Sequence, residues 1–573
     1  MVFMISKQKL LYTFLIPLLI IISLLQGCKS ESPEIAGRIV VGIDSDVKSF
    51  NPLFSSTGSE VNISELFFLS LVQYEWNDAE GGLDASPMLA EKWEWADDSS
   101  SIKFYLRKDV HWSDGRNFNA EDVVFSFDVY SDPKVESRFY GFFENFYTSN
   151  EKGDSLHILL DKTFEVPDSF TVIINFRKNS IPSLKDIDYP LIPKHVYERI
   201  DRKDLSRFEK DIKLVTDGPF FLEKWDKNQA IILKRNENSF LYASPGNGQE
   251  QGNIKPVQRL VFKIVPDYNS RITQLKKGEI DLMEDISAEN VSSLKENGRI
   301  NIAAVKGREF EYIGWNNINT ADFRERKITP NKLFGNPEIR KALSYAVNRQ
   351  EILFEYLKGY GDLAAGPVSP IFKKYFDQTL KPFEYNPGKA KEILNRQGWI
   401  DEDKNGIIEK NRLPFRFVLN IPSGNPRREF AATIIKNNLR EVGIDVSVQS
   451  YEPNVFFEKL FAREFDSWIA AWGIPLPLDL KPFWHSDLQA NQYNLAGFRN
   501  KSVDSLLELI IITKDDNQKT RYYKKIQSII YNETPFTFLY WIDNIVAYNK
   551  RIKNINVTPL YPLHHAWYWK LED

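Results

Sequence analysis

The chain of 573 residues has a single cysteine, Cys28, which excludes an intramolecular disulfide and a thiolate-rich metal site. Histidine is almost as scarce. The six, at positions 111, 157, 195, 485, 564 and 565, form no HExxH and no i, i+4 pair, the spacing that sets two imidazoles on one helix face. His564 and His565 are adjacent and would point to opposite faces of a strand. No GxSxG elbow and no Walker loop occurs, so the common nucleophile and phosphate-loop signatures are missing. No catalytic residue, cofactor or metal site is expected. Long basic runs are missing too, and the formal net charge is −4, which argues against nucleic acid as a partner. The apolar run Leu10 to Leu25 has 16 residues, short of the roughly 20 that span a bilayer.

That run does have the surroundings of an export signal. Lys7 and Lys9 precede it and Leu25-Gln26-Gly27-Cys28 follows it, the charge-then-apolar order of a secretory leader. The tetrapeptide resembles the lipobox of bacterial lipoproteins, with Gln26 where a small residue is usual. The resemblance implies cleavage before Cys28, acylation of its sulfur, and anchoring to a membrane. Each buried CH₂ contributes roughly 0.8 kcal/mol, so two or three acyl chains hold where one does not. Residues 28–37, with Lys29 to Ile35 reading KSESPEI, then form a polar tether. Loss of Lys7 and Lys9 with no acid takes the net charge from −4 to −6.

At this length one core does not suffice, and two or three globular units are expected. Aromatics make up 14% of the chain. Rings give contact area with few torsions to freeze, which suits a protein closing on a ligand; phenylalanine-rich cores account for the excess equally well.

The most informative stretch is Leu89 to Tyr130. Trp93 to Trp95, a turn at Asp97 to Ser100, and the period-two run Ile102, Phe104, Leu106 predict a hairpin. Asn119 as N-cap, with Asp122 three residues on, opens a helix whose stripe is Val123, Val124, Phe127 and Tyr130. Around this unit the pattern alternates. Arg38 to Asp44 reads as a strand, Asp46 to Ser59 as a loop, and Val61 to Tyr74 as a helix capped by Ser59 or Asn62. The aromatic run Phe139 to Tyr147 reads as core, with a cleft wall as the lesser option. Phe221 to Trp225 and Ala230 to Lys234 read as paired strands, and Arg259 to Val265 as a buried one. Gly246 and Gly248 lack the strand-then-helix context of a phosphate loop.

A second unit is expected from about Glu309. Phe310 to Trp315 reads as a strand. Asn336 to Tyr356 reads as one helix, with Pro337 at its first position and Ile339, Leu343, Ala346 and Val347 on one face. Asp401, Asp403, Asn405 and Gly406 have EF-hand-like spacing, but Arg412 stands where a bidentate Glu is needed, so a tight loop is the better reading. Thr537 to Trp541 and Ile545 to Tyr548 read as two closing strands. The repeated strand–helix–strand order argues for an α/β fold with parallel pairing.

From about Arg38 to Asn549 the chain resembles family 5 of the bacterial extracellular solute-binding proteins, the oligopeptide-, dipeptide- and nickel-type binding components of ABC importers. The matching segments, in the family's order, are LAEKWEWADDSSSIKFYLRKDVHWSDGRNFNAEDVVFSFD, TDGPFFLEKW, LVFKIVPDYNSRITQLKKGEIDL, NPEIRKALSYAVNRQEI, YNPGKAKEIL, FDSWIAAWG and NLAGFRNKSVDSLL. The resemblance implies a two-lobed periplasmic binding protein type II fold, α/β, with an extra domain and a ligand enclosed by hinge closure. Lobe I would comprise residues 38–71, 214–308 and 544–573, the extra domain 72–213, and lobe II 309–543.

Peptide-binding members place an Asp shortly after a Trp-Gly-like pair, where it holds the peptide's ammonium. Here Trp472-Gly473 is followed by no acid before Asp479. Asn51, Phe54, Trp315, Asn316, Arg427, Arg428, Trp472, Asp479 and Asn494 are the candidates for ligand contact. The implied function is capture of a peptide and its delivery to an ABC permease. A non-peptide ligand (a sugar, haem or nickel) and a secreted hydrolase are the alternatives.

Overall fold

The computed structural model describes residues 37–149, 156–208, 214–243, 254–560 and 563–572. Cys28, the leader and nearly all of the tether lie outside these, as do Gly246 and Gly248. An eleven-stranded sheet runs through the molecule. In chain order its strands are β1 (Arg38–Ile43), β2 (Phe220–Asp226), β3 (Ala230–Arg235), β4 (Arg259–Ile264), β5 (Leu282–Met283), β6 (Ile300–Trp315), β7 (Gly361–Leu363), β8 (Arg416–Pro422), β9 (Asp445–Tyr451), β10 (Ser467–Gly473) and β11 (Phe536–Asn549). Their spatial order is β9-β8-β10-β6-β11-β5-β1-β4-β3-β2, with β7 also pairing on β11. β8 and β9 are parallel and joined by the helix Pro426–Glu441, and β1 is parallel to β4 and β5. The β2–β3 hairpin and the β6–β11 and β6–β10 pairs are antiparallel, so the sheet is mixed rather than parallel throughout.

β6 and β11 carry the chain between the two halves. Ile300–Val305 pair with Asn544–Asn549; the register then shifts, and pairing resumes between Glu309–Gly314 and Phe536–Ile542. Such a bulge bends a strand and frees it locally from its partner. Gly307 sits in it, where a Cβ would fall 2.0 Å from the Ile542 carbonyl oxygen. Before the shift the strands pack on a core including Val40, Leu294 and Ala547. Beyond it they enter the cores around Ile313 and Leu539 and around Tyr312 and Phe538. The two closing strands expected at residues 537–541 and 545–548 are therefore one strand. Its polar Asp543-Asn544 is the passage between two cores, not a turn.

Residues 72–205 form a hairpin (Val72–Asn77 with Gly82–Pro87), a four-stranded sheet, and the helix Ala120–Ser131. The hairpin-then-helix reading of residues 89–130 holds. Trp95 pairs with Ile102, and Asn119 caps the helix in a reciprocal box with Asp122. The buried Asp122 also accepts the Trp112 indole N–H at 3.2 Å and the Lys194 amide at 2.9 Å. The most recognisable stretch of sequence is thus scaffold. Its core is continuous with that of β1 and β4, with Phe104 and Phe127 in one cluster with Leu260 and Phe262.

Two helix expectations fail for tertiary reasons. The helix begins at Gly58, capped by Thr57, and ends at Ser64, not at Tyr74. Leu66 and Phe67 instead offer their carbonyls to the amides of Phe220, Asp217 and Gly218, and Val72 starts a strand. Asn336 to Tyr356 splits into Pro337–Ala346 and Arg349–Glu355. At the break Asn348 caps the second helix, and the buried Arg349 donates to the Phe538 and Ala364 carbonyls. Those bonds outweigh helix propensity.

Candidate functional site

A chain of connected cavities follows the boundary between the halves. The largest, about 1240 Å³, is a trough. One wall is Tyr74, Phe139 and the segment Ser183–Tyr189; the other is Phe372, Tyr375 and the loop Leu476–Asp479. Through Tyr74, Phe139 and Asp188 it opens into a chamber of about 320 Å³ reaching His564 and Trp567. The chamber meets a 130 Å³ cavity at Asn62 and Leu563, and a 190 Å³ cavity beside the hinge at Leu560. The chamber has the volume of a small-molecule pocket, and the trough is larger than such pockets usually are.

The hairpin 72–87 bridges the trough. Its Glu80 carbonyl accepts the Lys374 amide at 3.2 Å, its Asp78 carbonyl accepts the Lys373 ammonium, and Trp76 packs on the second half's core. Gly81 has φ +67°, and a Cβ there would lie 2.0 Å from the Ile371 carbonyl oxygen. Strain at positive φ plus overpacking costs about 1–3 kcal/mol. Gly81→Ala is therefore expected to loosen the bridge and raise the radius of gyration in small-angle scattering; an unchanged profile would show that the hairpin does not hold the halves together.

Within the β6–β11 hinge lies a buried charge cluster. Glu311 of β6 is fully buried. It accepts Arg427 Nε at 3.1 Å, Arg428 Nε at 2.7 Å and the Tyr540 hydroxyl. Burial pushes its carboxyl up, but the two guanidiniums outweigh that and hold it below the usual range. Among the described residues no cation lies within ion-pair distance of the nearby Glu284. Burial pushes its carboxyl up to about 8, with Asp285 adding like-charge repulsion.

The residues anticipated for ligand contact fall into three groups. Asp479 lines the trough, its carboxylate accepting the Lys481 amide at 3.0 Å. Arg427 and Arg428 belong to the hinge, committed to Glu311. The rest are engaged in packing. Asn51 accepts the Leu53 amide at 3.1 Å and is buried, and Phe54 packs on the first core. Trp315 is fully buried against Phe334 and Phe417 and donates to Thr537 Oγ1 at 3.0 Å. Asn316 donates to Thr320 Oγ1 at 2.9 Å, and Asn494 donates to the Phe498 and His485 carbonyls. Trp472 stands edge-on to Phe483 and Tyr493. Polar residues beside a strand end serve that end's own backbone as readily as a ligand.

Several lining residues carried no sequence signal. Glu65, Asp188, His564 and Trp567 meet at the chamber only through tertiary folding. The aromatic run was a partial signal. Phe139 and Phe142 line the trough while Phe143 and Phe146 are core. The acidic loop is tight, with Gly406 at φ +85° and its amide on Asp401.

The model for bacterial extracellular solute-binding proteins, family 5 (middle region), matches residues 84–494. The chain belongs to that family. Family 5 proteins work outside the cytoplasm, and the two-lobed α/β architecture is that of type II periplasmic binding proteins. The oligopeptide-binding protein AppA of Bacillus subtilis is 26% identical over 575 residues, covering 98% of this chain and 98% of its own. Heme-binding protein A of Haemophilus influenzae is 28% identical over 505 residues, covering 85% and 84%. The solved structure of AppA from Bacillus subtilis in complex with a nonapeptide superposes with a TM-score of 0.70 at 25% identity, covering 94% of this chain and 99% of that one.

Proposed function

We propose that this family 5 protein is the substrate-binding component of an ABC importer, capturing peptides outside the cytoplasmic membrane and delivering them, chemically unchanged, to the permease. The observation carrying the reading is the trough of about 1240 Å³. It is bridged by a hairpin and set over a bulged two-strand hinge, the arrangement for closure about an extended guest. The likeness over full length to a protein named oligopeptide-binding supports it. In this reading residues 38–71, 214–308 and 544–573 form lobe I, 72–213 the extra domain and 309–543 lobe II, and Asp479 is the ligand contact retained from the sequence. Native mass spectrometry of protein purified from its own cells tests it. Intact peptides in the released fraction are expected; haem, a nickel complex or a sugar in their place overturns the peptide assignment, and cleaved fragments produced on incubation overturn the absence of chemistry.

The same proposal anchors the protein through acyl chains on Cys28. Cys28→Ala is expected to abolish lipid labelling and leave the chain uncut, since cleavage requires the modified sulfur. A processed, unlabelled wild-type protein would refute the anchor.

A further inference from the structure

The trough is strongly acidic. Seven carboxylates line it against two lysines. Lys374 is already taken, paired with Asp516 and lying 3.8 Å from Glu80, and Asp84 accepts the Asn77 amide group at 2.8 Å. Glu144, Asp186 and Asp479 remain, together with Asp188, whose carboxyl burial pushes up to about 7 and which therefore carries only part of a charge at neutral pH. Among the described residues no lysine or arginine lies within ion-pair distance of these four. Asp186 is held by Asn145 Nδ2 at 2.7 Å and Asp479 by a backbone amide, neutral donors that orient a charge without cancelling it. Lys481, adjacent in sequence to Asp479's loop, is spent on Glu508 at 2.9 Å. A concave wall of one sign focuses its field on what enters.

The adjoining chamber makes a second, independent demand. Trp567 is only 4% exposed, lines the chamber, and has no partner for its indole N–H among the described residues. Arg138 Nε and Gln73 Oε1, in the same chamber, are buried and unpartnered too. Unpaired buried polar atoms are costly and are usually answered by a ligand or ordered water. Two donors and an acceptor, in a recess lined also by Leu69, Met88 and Leu563 and by the polar Glu65, Asp188 and His564, match an amide, which offers both a carbonyl and an N–H.

We infer that the cleft is selective for basic peptides: lysine or arginine side chains lie in the trough against Glu144, Asp186, Asp188 and Asp479, and a stretch of peptide amide enters the chamber against Trp567, Arg138 and Gln73. This rests on the peptide reading above and narrows it. A peptide rich in carboxylates would meet like charge along the trough.

The test is calorimetric titration of the full-length protein with three peptides of equal length, whose alternate positions carry lysine, glutamine or glutamate. The lysine peptide is expected to bind at least about tenfold more tightly than the glutamine one, with the margin shrinking as salt is raised. The double variant Glu144→Gln, Asp479→Asn should bring the lysine peptide to the affinity of the glutamine peptide. Trp567→Phe, which keeps the ring and removes the donor, should weaken all three by a common factor. Equal affinity for the three peptides overturns the charge selectivity and leaves the peptide reading standing. Tighter binding of the glutamate peptide overturns it outright. If none of the three binds, the peptide reading falls and this inference with it. If Trp567→Phe changes nothing, the chamber is not part of the site.

Discussion

Replacing Glu311 by alanine will destabilise the protein by about 3–5 kcal/mol, because it leaves buried guanidiniums without their counter-charge. Arg427 and Arg428 both reach into the sheet for this one carboxylate, with side chains 19% and 14% exposed, and Tyr540 donates to it from β11. Glu309, 3.9 Å from Arg427 and half exposed, is too distant and too hydrated to substitute. Thermal unfolding should show the loss, and Glu311→Gln should recover only part of it, since shape returns and charge does not. The pH dependence has a definite sign. The folded carboxyl lies below its ordinary value, so its contribution is fully present above the unfolded pKa near 4.5 and is lost as pH falls through the folded value. Acid titration of stability below about pH 4.5 should therefore be shallower in Glu311→Gln than in the wild type. An alanine variant of wild-type stability would show that the arginines are satisfied by water.

Gly314→Ala should be nearly as damaging. Gly314 pairs with Trp468 across the β6–β10 ladder. Its missing side chain is where the indole lies, 2.0 Å from an added Cβ to Cε2 and 2.3 Å to Cζ2. Trp468 is 1% exposed in a core with Phe456 and Ile530, so the ring has nowhere to retreat. Overpacking of this kind costs about 3 kcal/mol or more. A double variant adding Trp468→Leu removes the clash while losing ring contacts, so it should be more stable than Gly314→Ala alone. Such a reversal is a coupling that only neighbouring residues produce. If the two changes are simply additive, Gly314 is tolerant and the contact is not what fixes glycine there.

Local chemistry in the sequence located elements well and ends poorly. The capping box at Asn119, the proline opening Pro337–Ala346 and the alternation in Ile102 to Leu106 act within a few residues, so they could be read directly. The lower half of β6, Ile300–Arg308, could not, because its half-exposed residues follow no period until partners on β11 are known. The site was harder still. Of the residues expected at the ligand, Asn51, Trp315, Asn316 and Asn494 are engaged with neighbouring backbone or core, and they line neither trough nor chamber. The trough and chamber are instead built from Glu65, Asp188 and Trp567, which lie far apart along the chain and are unremarkable within any window of it. Asp479 could be anticipated because the Trp472-Gly473 pair marks its loop.

β11 lies at the centre of the great sheet, between β6 and β5, although it is made almost last. Neither half can finish its hydrogen-bonded ladder until roughly nine-tenths of the chain exists. Until then β5 and β6 each keep an open edge. A protein that works outside the cytoplasm gains from that delay, because the last-made strand of the great sheet locks both halves only once nearly all of the chain is present.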